Sequence, residues 1–198
     1  MLSDEVYDKL AFSGHTHLAI ATLPGMRERT ITVSSAAKCF NATGWKTGWA
    51  LAPAPLITAI LTAKQFLSFV GVSHVQPAVA LALATEAAWT AQLARTLERN
   101  HDALRATLTE CGFPVCETAG GYYLVADVSH TGMDAQEFCF GPLLDAGVAA
   151  IPVSAFASGP EAQRFRTLVR FAFCKDPDVM AEGCRRLRAA FAPSAAGD

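Results

Sequence analysis

The chain has 198 residues, 52% hydrophobic and 17% charged, enough for one substantial core or two small lobes and too apolar for a disordered chain. Its net charge of −2 provides no basic footprint for DNA, RNA or an anionic membrane, so a small-molecule or protein partner is favoured over a nucleic acid or a membrane. The six cysteines form no C-x-x-C pair, no signal peptide is evident, and no apolar run reaches the roughly 18 residues of a membrane span; reduced core cysteines in a cytoplasmic protein are expected.

Residues 1–12 read as a clipped strand entering a loop. Of the five histidines, His15 and His17 form the one close pair, in a Ser-Gly-His-Thr-His stretch with no third ligand nearby, so surface loop is the reading and metal is not. "RTITVSS" (29–35) is β-branched and predicts a buried strand, ending at a lysine loop. "TGWALAP" (47–53) predicts a short strand and "PAPLITAILTAKQFLSFV" (53–70) a helix with a proline start. Residues 76–112 predict two helices or one bent one, stopped by Gly112.

From Phe113 the texture changes. "FPVCET" and "GGYYLVADV" read as strands joined by a glycine turn, then "DAQEFCFGPLLDAG" as helix capped by Asp134. "GVAAIPVSAF" (147–156) and "TLVRFAFC" (167–174) predict two more strands, and "DPDVMAEGCRRLRAAF" (176–191) a closing amphipathic helix before a frayed tail, "APSAAGD". The plan is α/β: a lobe over residues 1–90, then residues 91–198 as a connecting helix and a compact α+β lobe.

Two lysines carry the chemical question. Lys38 follows a strand and is flanked by Ser35, Ala36 and Ala37, so its amine has little bulk around it and suits Schiff-base chemistry. Lys46, with Ser35 and the backbone at Gly44 and Gly48, offers cationic and hydroxyl contacts to a phosphate. Spacing alone leaves solvated turn lysines equally open. Ser35-x-x-Lys38 and Lys46-Thr47-Gly48 also match the S-x-x-K and K-T-G of penicillin-binding proteins. That reading is disfavoured because the serine ends a strand, the motifs are too close together, and no S-D-N lies between them.

"SSAAKCFNATGWKTGW" resembles the cofactor-lysine signature of class I/II aminotransferases, the fold-type I pyridoxal-phosphate enzymes. In matching order, "SDEVYDKL" resembles the family's Asp-x-x-Tyr segment, "GGYYLVADV" its Gly-Thr-Tyr-Phe strand and "LVRFAFCK" the strand of its carboxylate-binding arginine, so the likeness runs from residue 3 to about 191. The resemblance implies a partial PLP-dependent transferase fold, with residues 1–90 as the C-terminal part of the large domain and 91–198 as the small domain. It implies that Lys38 holds pyridoxal 5'-phosphate as a Schiff base and shuttles the substrate Cα proton, that Asp4 pairs with the pyridine nitrogen, and that Tyr7 bonds the ring's phenolic oxygen. Ser35 and Lys46 would hold the phosphate, many relatives having arginine at the latter, and Arg170 would take the substrate carboxylate as a bidentate fork.

Each residue also has a bland reading: Asp4 as a turn cap, Tyr7 as a core aromatic, Arg170 in a structural ion pair. Arg170 stands out even without the family, because "LVRFAF" puts a lone charge inside an apolar strand.

The resemblance covers the C-terminal half of such an enzyme. A sheet lacking its other strands is expected to expose edges and an apolar face. Two classes of function follow: the catalytic half of a transaminase acting on amino acids and 2-oxo acids, or a non-catalytic remnant serving as an interaction module. The wording looks most like N-succinyldiaminopimelate, kynurenine and methionine aminotransferases, the first above all, with 2-oxoglutarate exchange implied and cysteine-S-conjugate β-lyase as the runner-up. Relatives are homodimers, and "QFLSFVGVSHVQ" (65–76) is the stretch expected near a partner subunit, unless Phe66 and Phe69 pack in their own core.

Overall fold

The computed structural model describes residues 1–193. The tail expected to fray lies, from Ser194 onward, outside the described residues. The chain divides into two compact units, residues 1–95 and residues 96 to the end.

In the first unit, β1 (Leu2–Asp4), β2 (Ile31–Ser35) and β3 (Gly48–Leu51) form a sheet in the order β1-β2-β3. β1 runs parallel to β2, with Asp4 opposite Val33, and β3 runs antiparallel to β2, with Ser35 opposite Gly48. β2 is half-buried along its length rather than buried, because the described residues cover it incompletely. The crossover from β1 to β2, residues 5–30, contains no α-helix, only 3-10 turns at Ile20–Thr22 and Arg27–Arg29, and is pinned by the buried Leu10 and Phe12. Parallel strands are ordinarily joined through a helix, so this irregular crossover needs other anchors.

After β2 the chain makes a one-turn helix, α1 (Ala36–Cys39), where a loop was expected. α2 (Ala54–Leu67) and α3 (Gln76–Thr85) each start with a proline in the first turn, where its missing N–H costs nothing. α4 (Ala87–Glu110) follows a break at Glu86, so the 76–112 pattern is two helices. Gly112 stops α4 in the left-handed region at φ 82°, with the Phe113 amide donating to Leu108 O and the Gly112 amide to Thr109 O, both at 2.9 Å.

The second unit carries β4 (Tyr123–Asp127), β5 (Ile151–Pro152) and β6 (Leu168–Ala172), antiparallel in the order β4-β6-β5. Two predicted strands shrink. "FPVCET" contributes a single bridge, Val115 to Ala126, beside a proline that offers no N–H. "GVAAIPVSAF" is a strand only at Ile151–Pro152, because Pro152 ends the ladder and the chain turns into a 3-10 segment, Val153–Phe156.

Asp134 caps α5 (Ala135–Phe140) as expected, in a full capping box: its carboxylate accepts the Gln136 and Glu137 amides at 2.9 Å, and Glu137 accepts the Asp134 amide at 3.0 Å. Pro142 opens α6 (Pro142–Asp145). α7 (Pro177–Phe191) buries Met180, Cys184 and Leu187, one stripe at helical spacing. Phe138, Phe173, Leu124, Leu143 and Val169 complete the core of this unit. All six cysteines are free; Cys39, Cys111, Cys139 and Cys184 are buried, and burial pushes the Cys139 thiol up to about 11. No helix among the described residues is long and apolar enough to cross a membrane.

Candidate active site

Five of the six residues singled out in the sequence lie in the first unit, at the end of the sheet where β1 and β2 finish and β3 begins. Asp4 is the last residue of β1 and Ser35 the last of β2. In open α/β sheets, ligands bind outside the carboxyl ends of parallel strands, which is where these residues sit.

The loop holding both lysines is closed by backbone. The Ala36 amide donates to Thr47 O at 3.0 Å, and the Thr43 hydroxyl donates to Ala37 O at 3.2 Å. Gly48 permits the closure: a Cβ there would lie 2.7 Å from Ser34 O, so a larger residue would push β3 off β2. Ser35, Lys38 and Lys46 therefore belong to one tied turn. Lys38 is half-buried on α1. Lys46 is exposed and left-handed at φ 51°, a conformation costly for a lysine and of the kind that clusters at functional sites. Ser35 makes no capping hydrogen bond to α1 with its side chain.

Ser35 ends β2, as expected, and it also precedes α1, so a strand end and a helix start coincide there. The spacing of the motifs still speaks against the S-x-x-K reading.

Asp4 is exposed, and its carboxylate accepts the Val6 amide at 3.2 Å, as its turn-cap reading expected. Side chains alternate along β1, so Asp4 faces away from the buried Ser3 and Glu5. Tyr7 is half-buried in the turn that follows, where its carbonyl accepts the Leu10 amide at 2.9 Å. Cys39, next to Lys38, is buried; desolvation pushes its thiol up, which removes it as a rival nucleophile at neutral pH.

Arg170 lies in the second unit, on the central strand β6, opposite Val125 of β4 and Ile151 of β5. Its guanidinium carbon sits 4.0 Å from the ring centre of Tyr123 and 4.2 Å from that of Phe156. Both rings lie at cation–π distance from the planar group. Its Nε is buried without a hydrogen-bond partner among the described residues, and no ion pair among them involves it. Among the described residues, therefore, Arg170 has no structural ion pair. A buried unpaired donor on a cation is costly, and a carboxylate ligand relieves it. The sequence had flagged the charge but not its aromatic flanks; Phe156 lies in the part expected to be strand.

The donor set fits a cofactor bearing an aldehyde, a phosphate and a basic ring nitrogen: an amine on a tied turn, a hydroxyl and an ammonium on the same turn, and a carboxylate on the adjacent strand end. No group of three or more potential metal ligands occurs among the described residues. His17 is an exposed loop residue, as expected, and with Ser3 and the Ile20 amide it binds Glu5, a buried carboxylate that the sequence reading passed over.

Comparison with known proteins identifies the family. The family model "Aminotransferase class I and II" matches residues 1–187. The chain is 51% identical over 194 residues to a probable N-succinyldiaminopimelate aminotransferase of Mycobacterium tuberculosis, covering 94% of this chain and 49% of that protein. It is 38% identical over 201 residues to mouse kynurenine–oxoglutarate transaminase 3, covering 90% and 43%. The solved N-succinyldiaminopimelate aminotransferase of M. tuberculosis superposes with a TM-score of 0.89 at 50% identity, covering 96% of this chain and 49% of that one. The chain thus spans about half the length of the curated relatives it matches.

Proposed function

Because this chain belongs to the class I and II aminotransferase family, we propose that it carries the cofactor-lysine half of a pyridoxal-phosphate-dependent aminotransferase exchanging N-succinyldiaminopimelate with 2-oxoglutarate. Its α/β architecture corresponds to about half of that family's fold. The observation that carries the reading is the tied turn that places Ser35, Lys38 and Lys46 together beside the strand end bearing Asp4. The higher identity to the N-succinyldiaminopimelate enzyme than to the kynurenine transaminase supports the substrate.

The cofactor, when bound, supplies an electron sink for the bond broken at the substrate Cα. Lys38 would be the residue that holds the cofactor at its aldehyde carbon, and its Nζ would carry the proton of the substrate Cα. Asp4 would pair with the ring nitrogen and keep it protonated, Tyr7 would donate to the phenolic oxygen, and Ser35 and Lys46 would hold the phosphate. Arg170 orients the substrate carboxylate through a fork that a lysine would not reproduce. A homodimer in the cytoplasm is part of this reading; for the dimer it draws on Phe66 and Phe69, which are 83% and 77% exposed instead of packed in their own core.

Borohydride reduction of the chain mixed with pyridoxal phosphate, followed by peptide mapping, tests it. Saturable label on Lys38, lost in Lys38→Ala, is expected. Weak label scattered over exposed lysines would sink the reading for this chain. Preferential amine uptake from N-succinyldiaminopimelate over kynurenine, read as a change in the bound cofactor's absorbance, tests the substrate.

A further inference from the structure

Glu5 is the one carboxylate buried in the crossover, with 7% of its surface exposed. Both its oxygens are engaged. Oε1 accepts the Ser3 hydroxyl at 3.0 Å and the Ile20 amide at 3.2 Å, while Oε2 lies 3.0 Å from His17 Nε2. Its backbone is equally committed: the Glu5 amide donates to Val33 O at 2.8 Å, extending the β1–β2 ladder, and its carbonyl accepts the Asp8 amide at 3.0 Å and the Ser34 hydroxyl at 3.5 Å.

Residues 5–30 have no helix to pack them against the sheet, and a buried charge persists only where it is fully bonded. Here the bonding partners lie 12 and 15 positions along the chain, at His17 and Ile20, so the carboxylate ties the middle of the crossover to its start. Glu5 sits between Asp4 and Tyr7 in sequence, and its side chain leaves the strand on the face opposite Asp4. It therefore acts on the Asp4 face through the backbone.

We propose that Glu5 is a positioning residue: by clamping His17 and Ile20 to the end of β1, it holds Asp4 and Tyr7 in the orientation that meets the cofactor ring. The cofactor part of this rests on the function proposed above; the clamp itself does not.

Residue-resolved amide exchange on the full chain tests the clamp without cofactor. In Glu5→Gln and in His17→Ala, exchange at Val6, Asp8 and Leu10 rises about tenfold while the Ala36 amide, bonded to Thr47, stays protected. His17 is partly exposed, so its truncation leaves a folded protein in which to read the effect. Unchanged exchange at these three amides, or a rise shared equally by Ala36, overturns the proposal. Pyridoxal phosphate titration provides the second arm: in Glu5→Gln the pH midpoint of the bound cofactor's absorbance shifts, whereas a merely structural Glu5 would leave that midpoint in place and overturn the positioning role. Failure of the unaltered chain to take up the cofactor would count against the proposed function, and the exchange result would still decide the clamp.

Discussion

The two units bury their apolar residues differently. The second closes its own core: Phe113 packs against Phe138 and Phe191 with ring centres 5.4 and 5.6 Å apart, and Phe173, Leu124, Leu143 and Val169 are fully enclosed. In the first, α2 buries no residue and α3 only Val79, while Leu61, Phe66, Leu67, Leu81 and Leu83 remain exposed. The cause is visible in the helices. α7 buries one stripe, Met180, Cys184 and Leu187, so one neighbour suffices; α2 and α3 are apolar around much of their circumference, a pattern suited to burial on several sides. The lysine turn thus sits on the unit with the less complete core, and it is tied by backbone: the Ala36 amide on Thr47 O and the Thr43 hydroxyl on Ala37 O.

Three perturbations break or sharpen this contrast. The largest effect is expected from Phe138→Ala, which empties the aromatic cluster and costs about 3–5 kcal/mol, read as loss of cooperative unfolding of the second unit in denaturant. A loss under about 1 kcal/mol would mean that the cluster is not the core it looks to be.

A smaller effect concerns acid. Burial pushes the Glu5 carboxyl up, but the bonds from His17, Ser3 and Ile20 outweigh it and hold the group below its ordinary value of 4.5. A folded-state value below the unfolded one means that the stabilisation is complete above about 4.5 and is lost as pH falls through the folded value. The imidazole of His17 is the titratable group facing it. The stability gap between the unaltered chain and Glu5→Gln should therefore hold above about pH 4.5 and narrow as the pH falls below it. A gap constant over that range would show that the charge contributes nothing.

The smallest effect on stability is expected from Phe66→Ser in α2, within about 0.5 kcal/mol, because the ring buries little. The same change should reduce self-association in light scattering, since it removes an exposed aromatic from an apolar patch. A large loss of stability would place Phe66 in a core after all.

Much of the fold was legible in the sequence. The β-branched run of β2, the stripe of α7, the Asp134 capping box and the Gly112 stop are local signals, encoded within a few residues, and each predicts its element correctly. So is the lysine turn, whose residues lie within one short stretch. Tertiary structure alone decided the rest. Pro152 cut β5 short only because its strand had to pair with β6 there; Arg170 found Tyr123 on one neighbouring strand and Phe156 on another segment. Glu5 met His17 and Ile20 across an irregular crossover that has no period to read. The reason is physical: helix and strand signals repeat over a few residues, whereas a contact between distant segments is set by how the chain folds back and leaves no repeat in the sequence.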